Sequence, residues 1–266
     1  MIFRFSLRGN LTFIRTERSV REFIHFYPVV TIILLINIIL WIFTGFFRES
    51  IGGLIFTYGI GFNLAIYVDG EYWRLITPIF LHANIGHVLF NSFALVLFGP
   101  ALERMTGKVK FTIIYLATGI IGNIGTYIID VKSITPHLGA SGAIYGLFGI
   151  YIYMSFARRD LIDQQSAQVV RTIFIIGLVM TFVRPNINIA AHLFGFVGGL
   201  IVGPLLLKNA RPFFKPTYRR KVEDGEVAFD PNRWKKRRII PKKVRDNWMW
   251  IILIVIVILY LVAENQ

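Results

Sequence analysis

The sequence predicts an all-α fold, a polytopic transmembrane helical bundle, and three observations predict it. Hydrophobic residues make up 55% of its 266 positions, and the mean hydropathy of +0.60 is high for a chain long enough to bury an ordinary soluble core. Several apolar runs approach or exceed the roughly 18–20 residues that cross the hydrocarbon of a bilayer. The Lys and Arg residues cluster in alternate connections between those runs. The formal charge of +14 therefore reads as membrane topology, and no nucleic-acid partner is expected. With no cysteine in the chain, disulfides, thiol catalysis and thiolate metal sites are excluded.

Residues 1–27 form an N-terminal arm whose five Arg are mixed with Phe and Ile, a pattern suited to a helix on the membrane surface. The arm has no small-residue cleavage site and leads straight into a full-length span, so no cleavable signal peptide is expected. Residues 28–207 hold six spans, at about 28–45, 83–102, 111–129, 141–157, 170–184 and 187–207. The loop 46–82 is long and rich in Phe, Tyr and Trp, which places it in the interface beside the bundle. The fifth span is short, and Arg184-Pro185-Asn186 turns the chain directly into the sixth. Residues 208–247 form a linker with 14 basic and five acidic residues, expected to meet anionic lipid head groups. Residues 248–266 add a seventh span, at 248–263, as one extra C-terminal transmembrane helix.

Orientation follows from charge. With the N-terminus cytoplasmic, the inner segments carry 25 Lys and Arg, while the outer segments carry only Arg48, Arg74, Lys132 and Arg184. Seven spans then put the C-terminus outside the plasma membrane. Spans two, four and six all descend from the outer side, so His82, His87, Asn91, Ser141 and His192 share the outer half. Ser141 lies about 16 residues, or roughly 24 Å, from the inner end of its span, and His192 about 8 Å below its own start. The two depths agree.

Periodicity sets the faces. His87 and Asn91 are i,i+4, as are Ser141 and Tyr145. His192, Gly195 and Gly199 form one stripe. Gly195, Gly198, Gly199 and Gly203 on span six, and Gly139, Gly142, Gly146 and Gly149 on span four, allow the two helices to pack closely. A serine in a membrane helix commonly bonds its own backbone. Gly139-Ala140-Ser141-Gly142 instead leaves the hydroxyl open at a helix start, where free N–H groups can stabilise an oxyanion. An ionisable side chain within a span needs a partner, and Ser141 is the partner for His192, with imidazole as general base. No Asp or Glu lies near either residue in a suitable span. The pair is therefore expected to act as a dyad, with Tyr145 orienting the imidazole by stacking. His87 and Asn91 supply donors for the oxyanion. A zinc site of His82, His87 and His192 lacks a carboxylate and good spacing, so no metal or other cofactor is expected. Glu103 and Arg104 are expected to pair locally, and Trp73 and Arg74 to anchor the first loop. Without internal repeats, a transporter is disfavoured.

Together these residues resemble the bacterial rhomboid family of intramembrane serine proteases. The resemblance rests on Trp73-Arg74, His82, His87 and Asn91, Glu103-Arg104, Gly139-Ala140-Ser141-Gly142 with Tyr145, and Ala191-His192 with Gly195 and Gly199, in the family's order. It implies Ser141 as nucleophile and His192 as base, with His87, Asn91 and the Ser141 amide at the oxyanion. It also implies hydrolysis of a peptide bond in or near a substrate's transmembrane segment, entering near spans two and five, with a small residue before the cut. The family's minimal bacterial form has six spans, so the basic linker and seventh span are additions. The alternative is a rhomboid-like binder of membrane helices that does not cleave.

Overall fold

The computed structural model describes Glu17 and residues 19–212, so the seventh span and nearly all of the basic linker lie outside the described residues. Among the described residues the chain forms nine α-helices and two 3-10 turns, with no strand. A short helix, α1 (Val20–Phe26), opens on Ser19, whose side chain accepts from the Glu22 amide. None of its residues is fully buried, and Phe23 and Phe26 pack against the core; residues 1–16 and Arg18 of the N-terminal arm lie outside the described residues.

The first long helix, α2 (Pro28–Phe46), begins with a proline that has no N–H to satisfy. Its next two amides donate to Glu103: Val29 N at 3.0 Å and Val30 N at 2.9 Å. The buried Glu103 therefore caps α2 and is not bonded to Arg104, which points outward. A carboxylate at a helix N-terminus is stabilised by the dipole and by two charge-assisted bonds, which outweigh a surface pairing with a neighbouring arginine.

The long connection between α2 and α5 is mostly helical: α3 (Ile51–Gly59), α4 (Asn63–Asp69) and 3-10 turns at Tyr72–Leu75 and Thr77–Phe80. Its fold is stapled by the pair flagged in the sequence. The indole of Trp73 donates to Tyr58 O at 3.0 Å, and buried Arg74 donates to Thr57 O and Ile60 O at 2.9 and 2.7 Å while pairing with Glu71.

The helices α5 (Ile85–Thr106) and α6 (Lys108–Ile129) are joined by Gly107 alone, at φ 85°. The sequence suggests a loop there, but a single left-handed residue reverses the chain, and glycine adopts that conformation without strain. After α7 (Ser141–Ala157), α8 (Gln164–Val183) starts six residues before the expected span. Asp163 caps it by accepting from Ser166 N. The helix is thus 20 residues long and includes Arg171. Asn186, at φ 60°, turns the chain into α9 (Ile189–Leu206).

The helices α2, α5, α6, α8 and α9 are long and apolar enough to cross a membrane, and the 17-residue α7 is shorter but apolar. The chain is a multi-pass membrane protein. Its centre is α7, which buries 12 of its 17 residues and packs against α5, α6, α8 and α9. A helix apolar on all sides belongs inside a bundle.

The closest seam is α7 with α9. A methyl group on Gly195 would collide with Gly142 O, one on Gly199 with Gly146 O, and one on Gly149 with Phe196 O. The stripes do not serve this seam alone. The open side of Gly146 faces Thr118 of α6, and that of Gly198 faces Ile121. From α6, Gly122 presses on Ala191 O and Gly125 on Phe194. The central unit is therefore three helices, because α6 carries its own small-residue face.

Candidate active site

Ser141 is the first residue of α7. The preceding N-cap position, Ala140, offers no side-chain acceptor, so the opening amides of α7 keep their hydrogen-bonding capacity and the positive end of the helix is not neutralised. Gly139 sets up that start. Its φ of 131° is barred to most L-residues, and its N–H donates to Pro78 O at 2.8 Å, pinning the loop to the second 3-10 turn.

His87 enters from α5. Asn84 caps that helix by accepting from His87 N at 2.8 Å. The imidazole lies over Gly139: a methyl there would sit 2.6 Å from His87 Nε2 and 3.7 Å from Ser141 Oγ. The imidazole of His87 and the hydroxyl of Ser141 thus share the surface that the missing side chain leaves free. Asn91 follows one turn later on α5. It is buried, and its Nδ2 has no partner among the described residues. His82 packs edge-on against His87 with ring centroids 5.0 Å apart. Burial, with His87 alongside, pushes the His82 imidazole down to about 3, so it is neutral at physiological pH.

His192 reaches the same region from α9. Asn188 caps that helix, accepting from Ala191 N at 2.9 Å and from Thr126 of α6 at 3.1 Å. One turn along α7 from Ser141, Tyr145 stacks on His192, with centroids 4.0 Å apart and planes 15° from parallel. The Gly142–Gly195 and Gly142–Ala191 approaches hold the start of α7 against the turn of α9 that carries His192.

Sequence reasoning missed Thr181 on α8. It is fully buried, and its Oγ1 lies 2.8 Å from His192 Nδ1 and 2.7 Å from Tyr145 OH. The only signal was a hydroxyl in a largely apolar run, three residues before the Arg184-Pro185-Asn186 turn. It also missed His137 in the connection between α6 and α7. An isolated antiparallel bridge pairs His137 with Gly61, and its ring rests on the bare face of that glycine. Burial lowers this imidazole to about 4.

Chemically the arrangement offers a hydroxyl at a positive helix end, an imidazole held on two sides, and a second imidazole and an amide on an adjacent helix. Among the described residues no group of three His, Asp or Glu is placed to hold a metal ion. The family model of the Rhomboid domain matches residues 69–209, which contain all of these residues. The chain is 46% identical to YdcA of Bacillus subtilis (strain 168), named as a rhomboid protease, over 198 residues, 74% of this chain and 97% of YdcA. It is 40% identical to the rhomboid protease GluP of the same organism over 57% of this chain and 29% of GluP. RHOMBOID-like protein 1 of Arabidopsis thaliana is 33% identical over 59% of this chain and 40% of that protein. The chain thus spans less than half the length of the latter two relatives and almost all of the first. It belongs to the rhomboid family and is a membrane-embedded serine protease of the rhomboid type.

Proposed function

We propose that the chain hydrolyses peptide bonds in or near transmembrane segments of membrane proteins through a Ser141–His192 dyad. The observation that carries this reading is the glycine-lined seam, which sets the start of α7 against the turn of α9 that bears His192. Ser141 Oγ attacks the scissile carbonyl as His192 takes its proton. The Ser141 amide, His87 and Asn91 then donate to the oxyanion. Collapse expels the amine, which receives the proton from His192 and leaves an acyl-enzyme. Water, deprotonated by His192, releases the acid and restores the hydroxyl.

Gly139 serves the site by leaving room for His87, and Tyr145 by holding the His192 ring. Substrate helices enter beside spans two and five. The N-terminus is cytoplasmic and the site opens to the exterior of the plasma membrane. The linker 208–247 contacts anionic head groups, and the seventh span places the C-terminus outside. The division is an arm at 1–27, a six-span core at 28–207, the linker, and a last segment at 248–266.

The test is cleavage of a single-span substrate in liposomes together with labelling by a fluorophosphonate. Ser141→Ala and His192→Ala are each expected to abolish cleavage in folded protein, and the adduct to map to Ser141 and be suppressed in His192→Ala. Undiminished cleavage by Ser141→Ala overturns the mechanism. Substrate binding without cleavage or adduct in the wild type identifies a non-cleaving binder.

A further inference from the structure

The hydroxyl of Thr181 has three polar neighbours: Gly177 O at 2.9 Å, Tyr145 OH at 2.7 Å and His192 Nδ1 at 2.8 Å. Thr181 is fully buried, and Tyr145 and His192 are more than nine-tenths buried, so these contacts are made away from solvent. A hydroxyl has one proton and two lone pairs, whereas a carbonyl only accepts. One assignment alone makes all three contacts hydrogen bonds. Thr181 donates to Gly177 O and accepts from Tyr145 O–H and from His192 Nδ1–H.

That assignment has a chemical consequence. A neutral imidazole protonated at Nδ1 carries its free lone pair at Nε2. The opposite tautomer has N–H at Nε2 and cannot accept a proton there. We propose that Thr181 is a positioning residue for His192, holding the imidazole in the Nδ1–H tautomer so that Nε2 is available as the base. The proposal rests on the Ser141–His192 reading. Tyr145 fixes the plane of the ring from one face, and Thr181 fixes its rotation and protonation in that plane. In a triad this is the task of a carboxylate. A neutral hydroxyl performs it without placing a charge at membrane depth. Gly177 contributes by lacking a side chain, since a methyl there would stand 3.1 Å from Tyr145 OH.

The test compares wild type, Thr181→Val and Thr181→Ser, as full-length protein in liposomes. Val keeps the shape and removes the hydroxyl, while Ser restores it. Thr181→Val is expected to lower kcat by about 10–100-fold, in line with leaving a buried donor unpaired, with KM nearly unchanged. Thr181→Ser is expected to recover most of the loss.

The second readout is independent of turnover: 15N NMR of labelled histidine at pH 8, with the His192 signals assigned against His192→Gln. Protonated Nδ1 is expected in wild type and in Thr181→Ser, and a mixture of tautomers in Thr181→Val. An Nε2–H tautomer in wild type overturns the proposal, and this holds whether or not the valine variant folds. Wild-type turnover in folded Thr181→Val, or failure of serine to rescue, also overturns it. Running the NMR in the Ser141→Ala background separates the two hypotheses, because loss of the dyad reading leaves the tautomer measurement intact.

Discussion

Two helices flank α7 near Ser141, and they hold it in different ways. α9 meets it backbone to backbone, through glycines whose added methyl groups would strike carbonyl oxygens. α8 meets it through side chains: Phe174 against Tyr145 and Phe148, and Thr181 against Tyr145. Only about a fifth of the apolar stretch of α8 is buried (22%), against a third for α9 (33%). Backbone contact leaves no rotamer to adjust, whereas a side-chain contact can be remade after a displacement. The seam fixes the separation between helices, while the second contact governs how one ring is presented.

This contrast can be broken most directly at Gly195 and Gly199. Leucine at either position is expected to destabilise the fold by about 3 kcal/mol or more, since overpacking against backbone cannot be relieved by rotamer change, and to eliminate cleavage. Thermal unfolding and proteolysis assays check both, and a folded, active Gly195→Leu protein breaks the contrast. On the other helix, Gly177→Ala should be far milder. The methyl meets the end of the flexible Tyr145 side chain, so a loss of roughly 1 kcal/mol or less is expected, with kcat reduced by a few-fold. If it proves as damaging as the α9 substitution, the two contacts are equally rigid.

The smallest effect sharpens the contrast from outside it. His137 is lowered from 6.5 to about 4 by burial. The folded state therefore binds fewer protons than the unfolded chain between these values. Its contribution to stability is complete above about 6.5 and is lost as pH falls toward 4. Unfolding temperature should decline on acidification from pH 7 to 4.5, and His137→Phe should flatten part of the decline. His82, lowered to about 3 by burial and then by His87, should add to the same decline. An unchanged slope in His137→Phe removes the Gly61–His137 bridge as its source.

Much of the architecture could be read from the sequence because lipid imposes simple rules. Among the described residues apolar length gave the six long helices, and glycine spacing gave the faces of α7 and α9. What could not be read depends on partners far away in the chain. Glu103 caps a helix some 74 residues earlier, and no local pattern distinguishes that from a pairing with Arg104. Thr181 bonds Gly177 O four residues back, as a threonine in any apolar helix does, and nothing in that habit reveals a second and third partner. The role of α6 is hidden because the partners of its Gly122 and Gly125, Ala191 and Phe194 on α9, lie about seventy residues away in the chain. The early start of α8 was hidden because Gln164-Gln165-Ser166 is polar, yet lies in the capped first turn.

The bond between Glu103 and the opening amides of α2 also has a temporal side. Pro28 removes one orphan donor by chemistry, but Val29 and Val30 find their acceptor only in a residue made much later. In order of synthesis these two amides precede their acceptor, so this cap can close only once the far end of α5 exists. The cap therefore ties the start of α2 to the far end of α5 across more than seventy residues of chain.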